Sequence, residues 1–99
     1  MNGRTPTKGE TTWMSDVLSD GCCVCRLFLD VFTPCEIHHI EGSRKEGAHY
    51  KTIGLCVFHH RAGLNNKDCV SRHPYKKEFE RRYHTDEKLL ELTQERLKL

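Results

Sequence analysis

The sequence has no apolar run long enough to cross a bilayer, and its opening stretch, MNGRTPTKGETTW, lacks the apolar centre of a secretory signal. A cytoplasmic location is the expectation, and thiols stay reduced there. Aromatic residues are sparse at 8%, and a chain of 99 residues buries only about two thirds of its unfolded surface, so the core is thin. Net charge is low as well: at +2, charge balance alone gives no argument for a nucleic-acid partner. There is no internal repeat and no low-complexity tract. Together these absences leave one small domain that needs a cross-link beyond its apolar core.

The cross-link candidates are six cysteines and seven histidines. Under reducing conditions the thiols favour metal over disulfides, and the histidines point the same way. Cys22 and Cys25 form a C-x-x-C and Cys56 and His59 a C-x-x-H, the spacing of two zinc knuckles. A structural zinc takes four thiolate or imidazole ligands in a tetrahedron, and each knuckle can supply two. Buried free cysteine is the alternative, since cysteine is among the most buried residue types. Cys23 interrupts the first knuckle and could replace Cys22; Cys35 and Cys69 have no evident partner and are read as structural.

Two doublets, His38-His39 and His59-His60, sit in short apolar segments beside cysteines. Adjacent helical side chains leave about 100° apart, and adjacent strand side chains point to opposite faces. The two rings of a doublet are therefore expected to serve different sites. With His59 in the zinc knuckle, His60 faces a neighbouring cleft, and one histidine of the first doublet can hold an ion while the other does something different. A metal with an unligated histidine beside it is a hydrolytic arrangement, in which a neutral imidazole takes a proton from attacking water.

Residues 1–10 read as a loose lead-in and residues 11–99 as one domain. A short helix is expected from Thr11 or Thr12 to a stop at Gly21. RLFLDVF alternates as a strand, with CEIHHI as its antiparallel neighbour and TIGL as a further brief strand. CVFHHRAG is expected to form two helical turns. A helix starting at Ser71 and Pro74 carries Tyr75, Phe79 and Tyr83 as an apolar stripe, and a last helix from Thr85 buries Leu89, Leu92 and Leu97.

CEIHHIEG, then AHYKTIGLCVFHHR, then SRHPYKKEFERRY, in that order, resemble the HNH endonuclease superfamily, and within it the phage recombination enhancement function (Ref) nucleases. The resemblance covers about Cys22 to Leu90. It implies an α+β fold, a small ββα-metal finger with a structural zinc knuckle and flanking helices. It implies a metal-dependent endonuclease that nicks DNA, is phage-encoded and is linked to recombination. By position, His38, His60 and His73 resemble the ligands of a catalytic ion (Mg²⁺, Mn²⁺ or Zn²⁺), and His39 resembles the general base. Cys22, Cys25, Cys56 and His59 resemble the structural zinc set. The signature's middle Asn has no counterpart in HYKT, which leaves His49 or the backbone around Lys51 to orient the base. Arg44, Lys45 and Lys51 form one candidate phosphate patch; Arg72, Lys76 and Lys77, followed by Arg81 and Arg82, form the other. DNA is the implied partner. A long basic N-terminal arm that could engage a RecA-like recombinase filament has no counterpart here, which counts against RecA-dependent cutting. The rival reading is a non-catalytic zinc-stabilised module that binds DNA or protein.

Overall fold

The computed structural model describes residues 5–42 and 46–98. Its centre is a two-stranded antiparallel sheet of β1 (Glu36–His39) and β2 (Thr52–Leu55), with Ile37 opposite Gly54 and His38 opposite Ile53. A one-turn helix, α2 (Val57–His60), follows β2 directly. Three longer helices surround this unit: α1 (Lys8–Asp20), α3 (Lys76–Arg82) and α4 (Asp86–Leu97). The chain is thus a small α+β domain, and among the described residues no helix is long and apolar enough to cross a membrane.

α1 begins earlier than Thr11 because TKGE is a capping box. Thr7 Oγ1 accepts from the Glu10 backbone N–H (3.2 Å) and the Glu10 carboxylate accepts from the Thr7 N–H (2.8 Å). It ends where expected, at Gly21 with φ 86°. No other residue fits there, since a Cβ would lie 2.6 Å from the Thr33 carbonyl oxygen and 2.8 Å from the Phe32 ring.

That close approach explains the largest departure from the expected fold. RLFLDVF is not a strand: Cys25–Leu29 winds into a π-helical turn that ends at Asp30 in the left-handed region (φ 56°), and the chain then folds back on Gly21. The Cys22 N–H donates to the Thr33 carbonyl (2.9 Å) and Arg26 Nε to the Asp20 carbonyl (2.8 Å), which closes the loop. β1 consequently pairs with β2 and not with RLFLDVF. Phe28, Leu29, Val31 and Phe32 are left exposed, so their alternation reflects no buried face.

The core joins Val24, Ile53, Leu55, Val70, Phe79, Tyr83 and Leu89 around the buried cysteines. Tyr75 departs from its expected stripe: Phe79 and Tyr83 are buried, but Tyr75 precedes the first turn of α3 and is exposed. On α4, with Thr85 as N-cap, Leu89 is buried, and Leu92 and Leu97 only partly so. CVFHHRAG yields one turn and not two.

Candidate metal centres

The first cluster gathers the two knuckles. Cys22 and Cys25 lie on the turn after α1, Cys56 caps the start of α2 and His59 lies within it, with all four side chains buried. His59 Nδ1 stands 3.2 Å from Cys56 Sγ and 3.7 Å from both Cys22 Sγ and Cys25 Sγ, and the Cys25 and Cys56 sulfurs are 4.0 Å apart. A zinc tetrahedron built from ~2.3 Å Zn–S and ~2.0 Å Zn–N bonds has edges of about 3.5–3.8 Å, so the donor atoms already mark its corners. The Cys25 backbone N–H points at Cys22 Sγ (3.5 Å), which favours a thiolate there. The Tyr83 ring meets the His59 ring edge-on at 5.2 Å and holds its plane.

Electrostatics agree with a cation at this point. The neighbouring Cys56 thiol and burial push the Cys22 thiol up, and the same pairing with Cys22, with help from His59, draws Cys56 down. Burial raises Cys25. Three sulfurs in one dry pocket become thiolates together only around a positive ion, and the donor set of three sulfurs and one nitrogen suits zinc. Cys23 takes no part. It is turned into the core against Thr93, and burial pushes its thiol up to about 12. Cys69 donates to the Phe58 carbonyl (3.4 Å) and Cys35 to that of Val17 (3.7 Å).

The second cluster is His38, His60 and His73, whose ring centroids are 5.2, 5.5 and 5.3 Å apart and whose ligand nitrogens lie within 4.8 Å of one another. His38 comes from β1 and His60 from the end of α2. His73 precedes α3 in a turn, and its position follows from backbone pairing: the Arg72 N–H donates to the His59 carbonyl and the His73 N–H to that of His60, both at 2.8 Å. Three imidazoles suit a divalent transition ion and leave coordination positions open.

Two carboxylates that the sequence reading missed orient this cluster. Glu36 Oε1 lies 2.7 Å from His60 Nδ1, and Asp86 Oδ2 lies 3.1 Å from His38 Nε2. Each histidine keeps its other nitrogen for an ion, in the carboxylate–histidine–metal pattern. Both carboxylates also hold an arginine. Arg61 Nη2 meets Glu36 at 2.5 Å, and that contact with the His60 bond brings the Glu36 carboxyl down to about 2. Arg72 Nη2 meets Asp86 at 2.9 Å. Burial opposes the Asp86 charge, but hydrogen bonds from His38 and Arg72 overcome it and hold the carboxyl well below its usual range. Glu36 shares a strand face with His38, two residues on, and that spacing was the available signal. Asp86 is 48 residues from His38 and had none.

His39 stands apart from this cluster at the end of β1. Its Nε2 lies 2.9 Å from Nδ1 of His49, with the rings 5.0 Å apart at 75°. Burial, then the neighbouring His49 and His38 rings, push the His39 pKa below its usual value. Both doublets therefore divide: His38 from His39, and His59 in the cysteine pocket from His60 outside it.

The basic candidates fare unevenly. Lys76 and Lys77 are exposed and line an open cavity of about 560 Å³ with Pro74, Tyr75 and Glu78. Lys51 is exposed and pairs with Glu41 at 3.3 Å. Arg72 is turned inward, with only 11% of its side chain exposed, because Asp86 holds it; a phosphate cannot reach it as the sequence reading expected. Arg44 and Lys45 lie outside the described residues.

Against known families, residues 6–98 match the model of a family described as recombination enhancement, RecA-dependent nuclease.

Proposed function

Because the chain belongs to the family of recombination-enhancement, RecA-dependent nucleases, we propose that it is an HNH-type, metal-dependent endonuclease that nicks DNA during phage-linked recombination. On this reading β1, β2 and α2 are the ββα-metal finger, and the Cys22, Cys25, Cys56 and His59 set carries structural zinc. His38, His60 and His73 would hold the catalytic ion, Mg²⁺, Mn²⁺ or Zn²⁺. That ion would supply charge neutralisation of the phosphate and of the departing 3′ oxygen.

His39 acts as the general base. In this role His39 Nε2, 2.9 Å from His49 Nδ1, would carry the proton of that hydrogen bond, which leaves Nδ1 to take a proton from water and holds the ring in place. His49 thus fills the orienting role for which the sequence offers no Asn. Among the described candidates, Lys51, Lys76 and Lys77 are exposed and would meet DNA phosphates, which position the backbone without reading sequence. The family description makes a RecA-type filament on DNA the partner to supply in any assay.

The observation that carries this reading is the split of the first doublet, one imidazole among three convergent ones and its neighbour hydrogen-bonded to a separate histidine. A zinc-stabilised binding module has no use for the second. Plasmid and filament-bound DNA should be nicked by wild type in Mg²⁺, Mn²⁺ or Zn²⁺, and His39→Ala should cut roughly 10²–10⁴-fold more slowly at unchanged metal content and DNA affinity. Equal cutting by the variant would reject His39 as the base, and no cutting by wild type in any metal would favour the binding module.

A further inference from the structure

We infer that the open cavity next to the three-histidine cluster is a base-stacking subsite, in which Tyr75 takes one unstacked nucleobase of the bound strand while Lys76 and Lys77 meet its phosphates. This rests on the nuclease reading of the histidine cluster.

Placement comes from the chain itself. Tyr75 follows His73 by two residues, so their Cα atoms lie within ~7 Å of each other. At ~3.4 Å of rise per nucleotide, a phosphate seated at the histidine cluster has a base only one or two nucleotides away at Tyr75. The ring is also left outside the core. Tyr75 is 38% exposed, although Phe79 and Tyr83 of the same stripe are 0% and 6% exposed.

An exposed tyrosine alone is ordinary. One that lines a cavity of about 560 Å³ with two exposed lysines is different, because an aromatic face for a base and cations for the backbone are the parts of a single-strand site. The volume is in the range of small-ligand sites. Glu78, the acidic residue of the wall, accepts from Arg81 Nε (3.0 Å) and has Arg82 Nη2 at 3.8 Å, so its charge is compensated.

The main chain holds this ring in one place. The Tyr75 N–H donates to the Ser71 carbonyl (3.3 Å) and its carbonyl accepts from the Phe79 N–H (2.8 Å), and both partners are fully buried. The bond from the His73 N–H to the His60 carbonyl (2.8 Å) ties the same segment to α2. A platform fixed in advance loses little freedom when a base settles on it.

The test is a binding titration on the full chain with one equivalent of zinc and no other divalent ion. The probe is a short single-stranded oligonucleotide, since a base reaches the subsite only outside the duplex stack. One position carries fluorescent 2-aminopurine, and a strand of abasic sugar phosphates of equal length is the control. Tyr75→Ala should bind the normal strand roughly 5–20-fold more weakly than wild type, with quenching of the 2-aminopurine lost and the salt slope unchanged. Its thermal midpoint should match that of wild type, and Tyr75→Trp should keep both affinity and quenching. On the abasic strand wild type and Tyr75→Ala should bind alike. Changing Lys76 and Lys77 together to Ala should flatten the salt slope by about 1.4 and leave quenching of the bound base intact. Equal binding of the normal strand by wild type and Tyr75→Ala would overturn the proposal, as would a penalty that persists on the abasic strand. A loss confined to binding of a recombinase filament would overturn it in favour of a protein contact. If wild type quenches the base but cuts DNA in no metal, the nuclease reading falls and the stacking subsite stands.

Discussion

Replacing Asp86 with Asn tests how the three-histidine cluster is held. Asp86 is 3% exposed and carries two partners, Arg72 through bonds of 2.9–3.3 Å and His38 at 3.1 Å. The amide keeps the shape and one acceptor but removes the charge, which leaves the guanidinium inside without its anion. Breaking a buried pair in this way costs about 3–5 kcal/mol, and the retained acceptor places this case near ~3. In a domain of this size each 1 kcal/mol lowers Tm by about 4–8 °C, so a fall of about 12–24 °C is expected by calorimetry. Adding Arg72→Met should restore much of the loss, because the stranded cation is the larger part of it. Metal affinity at the histidine cluster should drop about 10–100-fold while the cysteine site stays full. The pH dependence has a definite sign. A carboxyl held below its usual range contributes stability that is complete above its unfolded value of about 3.9 and is lost as pH falls further. The gap between wild type and Asp86→Asn should therefore narrow below about pH 4. A Tm change under about 4 °C, or a double variant no more stable than the single one, would refute the reasoning.

Two further outcomes follow from burial and ligand geometry. Cys22→Ser should lose the tightly held zinc, measured by elemental analysis, together with cooperative thermal unfolding; retention of a full equivalent would mean that Cys23 had taken over the corner. Phe79→Ala should cost about 3–5 kcal/mol in denaturant melts and Tyr75→Ala under about 0.5, and comparable losses would contradict their placement in core and solvent.

How far the sequence could be read depended on how far apart the partners are. The knuckles were legible because two residues of separation place a pair of ligands by themselves, and the doublets because adjacency alone forces their rings apart. The β1–β2 pairing was half legible: both strands were identifiable, but the neighbour of CEIHHI was misassigned because RLFLDVF alternates as well as any strand. What bends it away is Gly21, whose missing side chain lets Phe32 and Thr33 close in, a contact with no local signature. Asp86 was missed and Arg72 misjudged for the same reason. Their partners lie on other elements, so a basic residue that sequence places on the surface can be an internal counter-ion instead.

α2 is a single turn of four residues, far below the length at which a helix persists in water. A metal ion held by the Cys22, Cys25, Cys56 and His59 cluster would anchor this turn at Cys56 and His59, and His60 rides on the same turn. On the proposed reading, an ion in the sulfur-rich pocket would thus steady the turn that presents His60 to the second cluster. If the proposed assignments hold, loss of that zinc or oxidation of its thiols would loosen the seat of the second ion without any change to His38, His60 or His73 themselves.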